Sequence, residues 1–507
     1  MAEKKTTLAP DKPQVIAAID LGSNSFHMVV AQKLNGQLKI IDRLREMVQL
    51  SAGLKKSQKL DKEAMARALA CLSRFGQRLS DMHADSVRAI GTNALRVAKN
   101  PQSFLRQAQA ALGHPVEIIS GIEEARLVYQ GTVYAISRPQ EKRIVVDIGG
   151  GSTEIIIGKG EKPVHMESLF MGCVSLSEQY FDHEKITDKA FTQAIMAARQ
   201  QLRPIANKFR RIGWDIEIGT SGTIKSIAEI IEHNNPGANL ITLRDLHDVR
   251  AQCVAMGDVK SLQFAGIKKE RMPVLPGGLA VLIAVFEGLG LEHMNFSDGA
   301  LREGILFDLL GRLQLDHKDV RVTTVSALES RYAIEQEQAS RVEKHARKLF
   351  NMVSAEWQLD HPEHENHLRW AARLHEIGLD IAHSSYHRHG AYLMQHMDMP
   401  GFAKNEQYTL ACLIGCHRRK IRNIFFEGFD EHSVEPVKRL LVLLRLAVLL
   451  NRDRSQNDFP IKKITLNKNK LTLNFGKHWL DNSPLTMIDL EQENDYLQVL
   501  GFTLCFT

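Results

Sequence analysis

Cysteine is scarce in this chain: six in 507 residues, at positions 71, 173, 253, 412, 416 and 505, with no CxxC pair and no disulfide-rich pattern. That spacing speaks against a disulfide-stapled secreted fold. Cys412 and Cys416 lie one helical turn apart, but in the apolar stretch "TLACLIGCH", where buried thiols are the expected role. No uninterrupted apolar run reaches the roughly 18 residues of a membrane span. "LLVLLRLAVLL" is short and carries Arg445, so it reads as a core helix. The opening "MAEKKTTLAPDKP" lacks the apolar core of a signal peptide and reads as a loose tail over 1–13. Low-complexity linkers are absent. The formal charge of +6 is small for the length and marks no nucleic-acid binder. These absences leave a cytoplasmic globular protein, reaching at most the inner face of the cell membrane. Its 44% apolar and 24% charged residues and its length suit about three or four domains.

Two stretches do carry chemistry. In "AAIDLGSNSFHM" (17–28) an apolar run delivers Asp20 into a turn of Gly22, Ser23, Asn24 and Ser25. In "RIVVDIGGGSTEI" (143–155) Asp147 leads into Gly149, Gly150, Gly151, Ser152 and Thr153. Glycine lets backbone come close to a ligand, and successive N–H groups with hydroxyls form a nest for phosphate oxygens. Aspartates at strand ends suit a hard cation or an oriented water. A plain hairpin turn explains one such stretch; two matched copies favour a pair of phosphate nests, one in each half of a duplicated chain.

The patterning supports duplication. Strand 14–21 is followed by a strand pair across Asn35-Gly36, a favoured hairpin turn, then a helix, strand "SVRAIGT", a helical stretch from 93 to 112, strand "PVEIIS" and helix "EEARLVYQGTVYAI". After 142 a similar β-β-β-α-β-α order recurs, ending in strand "HMNFSD" and helix "GALREGILFDLLGRL". Two such α/β halves predict a cleft between them. Beyond about 318 strand signals give way to amphipathic helices, and histidines concentrate. From 461 "KKITLNKNKLTLNF" reads as a hairpin and "YLQVLGFTLCF" as a returning strand. The expected divisions are 14–136, 137–314, 315–460 and 461–507.

The duplicated halves resemble the superfamily of sugar kinases, actin and heat-shock ATPases. "IDLGSNSFHM", "ISGIEEARLVYQG", "VVDIGGGSTE", "GTSGT", "SDGALREG" and "LHEIGL", in that order, are similar to the exopolyphosphatase / guanosine pentaphosphate phosphohydrolase family, over about 14–460. The resemblance implies an α/β fold of two actin-like, ribonuclease H-like halves, a helical HD-like domain and a small α+β tail. It implies hydrolysis of terminal phosphates from inorganic polyphosphate, or of the 5′ γ-phosphate of guanosine pentaphosphate. "SDGALREG", "YHRHGAY" and "CHRRK" look nearer the exopolyphosphatase branch. Also implied are Mg2+ held by Asp147, Glu154 and Asp20, stimulation by K+, and a homodimer. A sugar kinase of the same superfold would need an acceptor-sugar site, for which no motif is visible.

Phosphoryl transfer through a loose in-line transition state asks mainly for positioning and charge stabilisation. The family match places the water-activating base on Glu124; Glu123 beside it is expected to complement the helix dipole. Arg96 is either a planar fork for phosphate or a helix salt bridge. Gly222 and Thr223 in "GTSGT" open a helix that offers backbone donors to a further phosphate. Ser297-Asp298-Gly299 reads as cleft wall.

"RLHEIGL" resembles the HD phosphohydrolase signature, with His345 upstream and His389 and His417 downstream. It departs from it twice: Glu376 replaces the Asp after His375, and Val448 stands where a late Asp is expected. An HD-like fold without its metal is therefore expected. The basic Arg388, Arg418, Arg419, Lys420 and Arg422 could instead form a track for a polyanion, or a solvated helix face.

Overall fold

A computed structural model describes residues 14–34, 37–54, 58–134, 141–181, 185–237, 240–313, 319–429, 431–454 and 459–507. The tail 1–13 and the turn at Asn35-Gly36 lie outside the described residues. The chain forms two compact units, 1–319 and 320–507.

The first half of unit one runs β1 (Gln14–Leu21), β2 (Ser25–Leu34), β3 (Gln37–Met47), α1 (Lys62–Leu79), β4 (Val87–Gly91), α2 (Asn93–Val97), α3 (Pro101–Leu112), β5 (Val116–Ile118) and α4 (Gly121–Tyr134). Its five strands are ordered β3-β2-β1-β4-β5. The second half runs β6 (Lys142–Ile148), β7 (Thr153–Lys159), β8 (Lys162–Leu169), α5 (Cys173–Tyr180), α6 (Asp188–Ile212), β9 (Ile216–Thr220) and α7 (Ser221–Asn234). It continues with β10 (Ile241–Thr242), α8 (Leu243–Met256), α9 (Leu275–Leu289), β11 (His293–Phe296) and α10 (Leu301–Leu313). Its sheet order is β10-β11-β9-β6-β7-β8. The antiparallel triple strand followed by parallel additions in both halves is the expected actin-like duplication; β10, α8 and α9 are additions of the second half.

The apolar runs of β1 and β6 are explained by burial on both faces. Ile19 and Leu21 join the core under α1 and α3, while Ile16 and Ala18 face the core shared with α4 and α10. The two helices cross backbone on backbone. A Cβ at Gly131 of α4 would stand 1.9 Å from the Ala300 carbonyl oxygen, and one at Gly304 of α10 1.9 Å from that of Leu127. Glycine at these two positions lets the halves close on each other. The segment Lys269–Leu289 is long and apolar enough to cross a membrane, yet 78% of its most apolar window is buried, and α9 is a core helix.

Unit two contains α11 (Val320–Arg331), α12 (Gln336–Val353), α13 (Pro362–Leu374), α14 (Tyr386–His396), α15 (Lys404–Cys416) and α16 (Glu431–Leu449). It ends in β12 (Ile461–Asn467), β13 (Lys470–Phe475), α17 (Pro484–Leu497) and β14 (Thr503–Phe506). Leu471, Leu473, Leu490 and Phe502 share one core with Leu349, Leu374 and Leu444, so 461–507 folds onto the helices rather than apart from them. Only Thr503–Phe506 of "YLQVLGFTLCF" forms the returning strand, parallel to β13, because Tyr496 and Leu497 finish α17. Arg445 interrupts its apolar run for a reason: buried, it donates through Nη2 to Glu493 of α17 at 3.0 Å and to the Arg419 carbonyl at 2.9 Å.

Candidate active site

Strand register builds the site. Asp20 lies opposite His27 across β1 and β2, and Asp147 opposite Glu154 across β6 and β7. Each aspartate therefore ends a strand where the chain folds back through its small-residue turn. The Gly149 N–H donates to the Ser152 carbonyl at 2.9 Å and closes the second turn. The turns of the two halves touch: a Cβ on Gly150 would fall 2.9 Å from the Ser23 Cβ. Both line a cleft of about 480 Å³, together with Glu124, Gly222 and Thr223. The α7 turn is strained, with Ser221 at φ 96°, a conformation that costs about 1–3 kcal/mol for a residue bearing a Cβ and often marks a functional turn.

Acid crowds the cleft floor. Burial pushes the Asp20 carboxyl up to about 8 and that of Asp147 up to about 7, with the Glu124 charge the second cause for both. Glu154 is raised by burial, then by Glu124 and Asp147. The Glu124 charge thus adds to burial at all three, a crowding of carboxyls that a bound cation would relieve. Asp20 Oδ1, Asn24 Nδ2 and Asn93 Nδ2 are buried without a hydrogen-bond partner, as groups awaiting a ligand would be. The carboxylate oxygens of Asp20 and Asp147 fit Mg2+, which takes one or two carboxylates and keeps its remaining waters, whereas the two amide nitrogens only donate hydrogen bonds, as to such waters or to phosphate oxygens.

Not every expected residue faces the cleft in its expected role. Arg96 does not line the cleft, and its Nη1 donates to Glu124 Oε2 at 2.6 Å, so one arm of the fork pairs with a carboxylate. Thr153 is fully buried and its hydroxyl donates to the Met171 carbonyl, which takes it out of the nest. Glu154 does not line the cleft; it is buried, and Ser168 Oγ donates to its Oε1 at 2.8 Å. Glu123 stands in the first turn of α4, as a dipole partner would, and has a further role. Wholly buried, it accepts Arg126 Nε at 2.7 Å and Nη2 at 2.8 Å, and Arg126 also donates to Asp308 of α10.

Residues that no spacing announced also line the cleft: His27, Arg43, Arg45, Lys268, Arg271 and Arg302. Burial, then the nearby Arg271 and Arg302, push the Arg45 guanidinium down to about 10. A Cβ on Gly222 would strike the Arg271 guanidinium at 2.1 Å, so that cation lies over the start of α7. Arg302 Nη1 meets His27 Nδ1 at 3.1 Å, and His27 Nε2 meets Ser25 Oγ at 2.7 Å. A guanidinium only donates, so Nδ1 accepts and Nε2–H donates to Ser25. The Ser25 hydroxyl proton is then left for another acceptor. Arg302 stands inside the motif "SDGALREG", but its partner His27 comes from the other half.

Arg388, Arg418 and Arg419 belong to the second unit. Arg388 is exposed, Arg418 lies 4.6 Å over the Tyr386 ring, and Arg419 adopts φ 59° with its carbonyl held by Arg445. In the same unit His375 and His417 are buried with ring centroids 5.4 Å apart. His387, rather than the expected His389, is the buried imidazole of α14, 6.3 Å from His417. The side chain that reaches His345 is Asn451, three residues beyond Val448: its Nδ2 meets His345 Nδ1 at 2.8 Å. Glu376 is taken by Arg454 Nη2 at 2.5 Å. Cys412 and Cys416 are buried free thiols.

Two matched glycine-rich turns over buried carboxylates form a cleft suited to phosphoryl groups. The chain belongs to the Ppx/GppA phosphatase family: the family's model matches residues 29–313 and that of its domain III matches 320–494. It is thus a hydrolase of phosphoric anhydrides with actin-like halves. A Vibrio cholerae relative named guanosine-5′-triphosphate,3′-diphosphate pyrophosphatase is 38% identical over 490 residues, 96% of this chain and 97% of its own. One of the same name from Pseudoalteromonas translucida is 38% identical over 495 residues, 97% and 99% of the two chains. The crystal structure of an exopolyphosphatase from Cytophaga hutchinsonii covers 59% of this chain and 99% of its own, at 26% identity and TM-score 0.55. That of the Aquifex aeolicus family member covers 60% and 100%, at 26% identity and TM-score 0.51. Both of these relatives, matched over nearly their whole length, carry the pyrophosphatase name and not that of the exopolyphosphatase branch toward which "SDGALREG", "YHRHGAY" and "CHRRK" pointed.

Proposed function

We propose that this protein hydrolyses the 5′ terminal phosphate of guanosine pentaphosphate, releasing orthophosphate and guanosine tetraphosphate. The carrying observation is Glu124, held by Arg96 in a cleft it shares with Asp20, Asp147 and two glycine-rich anion turns. The turns' N–H groups and hydroxyls bind the terminal phosphoryl oxygens, and the cationic Arg45, Arg271 and Arg302 offset the remaining charge. Glu124 accepts the proton of a water as its oxygen bonds to the terminal phosphorus. The bridging P–O bond breaks on the opposite side, and its electrons leave with the tetraphosphate. Asp20 and Asp147, with Glu154 behind them, would hold Mg2+, which when bound supplies charge neutralisation to the phosphates. The shared name of full-length relatives at 38% identity supports the nucleotide as substrate.

A second reading, release of orthophosphate from polyphosphate ends, is favoured by the likeness to the Cytophaga hutchinsonii exopolyphosphatase. Orthophosphate release from guanosine pentaphosphate, long polyphosphate and ATP, compared side by side as kcat/KM, tests both. The pentaphosphate is expected to lead; polyphosphate in front selects the second reading, and ATP in front contradicts both.

A further inference from the structure

Asp298 lines the cleft but has no part in the hydrolysis described above. A carboxylate that faces a run of phosphates repels it, whereas one that faces a nucleobase is a hydrogen-bond acceptor. Asp298 lies just beyond the end of β11, where its Oδ1 takes Lys225 Nζ at 2.7 Å. The same ammonium stands 5.6 Å from the centroid of the Phe296 ring, and all three residues line the cleft.

Sheet order gives the distance to the chemistry. Phe296 is level with Gly219 of β9, and Thr220 of β9 is level with Asp147 of β6. Phe296 therefore lies two strand spacings, about 10 Å, from the strand that carries Asp147. The strained turn into α7, where a helix start presents its N–H groups, stands between them. A terminal phosphate at β6, inner phosphates at α7 and a flat group at β11 follow the extended length of a nucleoside 5′-polyphosphate.

We propose that this end of the cleft reads guanine. This rests on the nucleotide substrate proposed above. Asp298 accepts from the adjacent N1–H and 2-amino groups, Lys225 donates to O6, and the base lies against Phe296. The Lys225–Asp298 pair shows a donor beside an acceptor pair, which complements guanine. Adenine presents the reverse on that edge, a donor at N6 and an acceptor at N1.

The test measures kcat/KM of the full chain for guanosine and adenosine 5′-triphosphate-3′-diphosphates, with rates normalised to tripolyphosphate, which has no base. The parent should prefer guanosine by about ten- to a hundredfold, the range of one well-made bidentate base contact. Asp298→Asn, which swaps one acceptor for a donor, should bring that ratio close to one. The parent alone supplies a second measurement with GTP, ITP and ATP: inosine, lacking the 2-amino group, should fall between the other two. A parent that cleaves both pentaphosphates equally, or an Asp298→Asn variant that keeps the full preference, overturns the subsite alone. A parent that cleaves tripolyphosphate and no nucleotide overturns the substrate reading and this subsite with it.

Discussion

Arg96 Nη1 donates to Glu124 Oε2 at 2.6 Å and also reaches the Ile119 carbonyl at 3.3 Å, so one guanidinium ties the proposed general base to the end of the strand before its helix. Hydrogen bonds to charged groups contribute about 1.5–3 kcal/mol. Arg96→Ala should therefore lower kcat by about ten- to a hundredfold with KM nearly constant, and Arg96→Lys should recover part of it. Steady-state kinetics on variants with unchanged circular dichroism checks this. A raised KM at unchanged kcat would return Arg96 to phosphate binding.

Asp308 of α10 accepts Arg88 Nη1 of β4 at 2.6 Å and Arg312 Nε at 2.8 Å, and it also takes Arg126 of α4. Removing one partner from a buried ionic cluster costs about 3–5 kcal/mol, because the others stay buried without compensation. Asp308→Ala should lose that much in urea unfolding. Glu123→Gln should also be destabilising, since Glu123 sits in the same cluster and not on the surface. An effect below about 0.5 kcal/mol for Asp308→Ala, the size of an ordinary surface change, would contradict this account.

The second unit should be acid-sensitive. Burial, then neighbouring Lys348 and Lys344, push His345 down to about 4. Burial, then Arg418 and Arg388, do the same for His387, and His375 and His417 are lowered chiefly by burial. These imidazoles stay neutral in the folded state while the unfolded chain takes up protons near pH 6.5. The unfolded state then binds more protons, so stability is complete above about pH 6.5 and declines as the pH falls towards 4. Thermal unfolding followed by tryptophan fluorescence should show Tm dropping over that window. A flat Tm from pH 7 to 4.5 would refute it.

Chelation of divalent metal should abolish orthophosphate release, and Mg2+ should restore it. Asp147→Asn should raise the Mg2+ concentration needed for half-maximal rate. His375→Ala should leave that requirement where it was, since Glu376 is engaged by Arg454 and an amide stands at Asn451. Activity that persists through exhaustive chelation would remove the metal from the account.

Much of the site was legible because it is local. Asp20 to Ser25 and Asp147 to Ser152 are contiguous, and a carboxylate leading into glycines and hydroxyls states its chemistry within a few residues. Thr153 belongs to the same run, yet strand register turns its hydroxyl onto Met171. Arg96 could be read two ways from its helix, and its pairing with Glu124, brought up from another element, shows only in the fold. Arg45, Arg271 and Arg302 gather from β3, the segment before α9, and α10, a meeting that no sequence spacing records. The duplicated strand order was readable from apolar periodicity. The fusion of 461–507 with the helical core was not, because it depends on which apolar face a short sheet finds.

The central claim is that Glu124 takes the proton of the attacking water. Glu124→Gln preserves shape and loses the base, and general-base catalysis contributes on the order of 10²–10⁴-fold. The direct measurement is single-turnover orthophosphate release from guanosine pentaphosphate, beside equilibrium binding of the same nucleotide, for the parent and Glu124→Gln. The rate should fall by about that factor while binding holds or tightens, since one negative charge near an anion is gone. Turnover close to the parent's in Glu124→Gln would contradict the assignment outright.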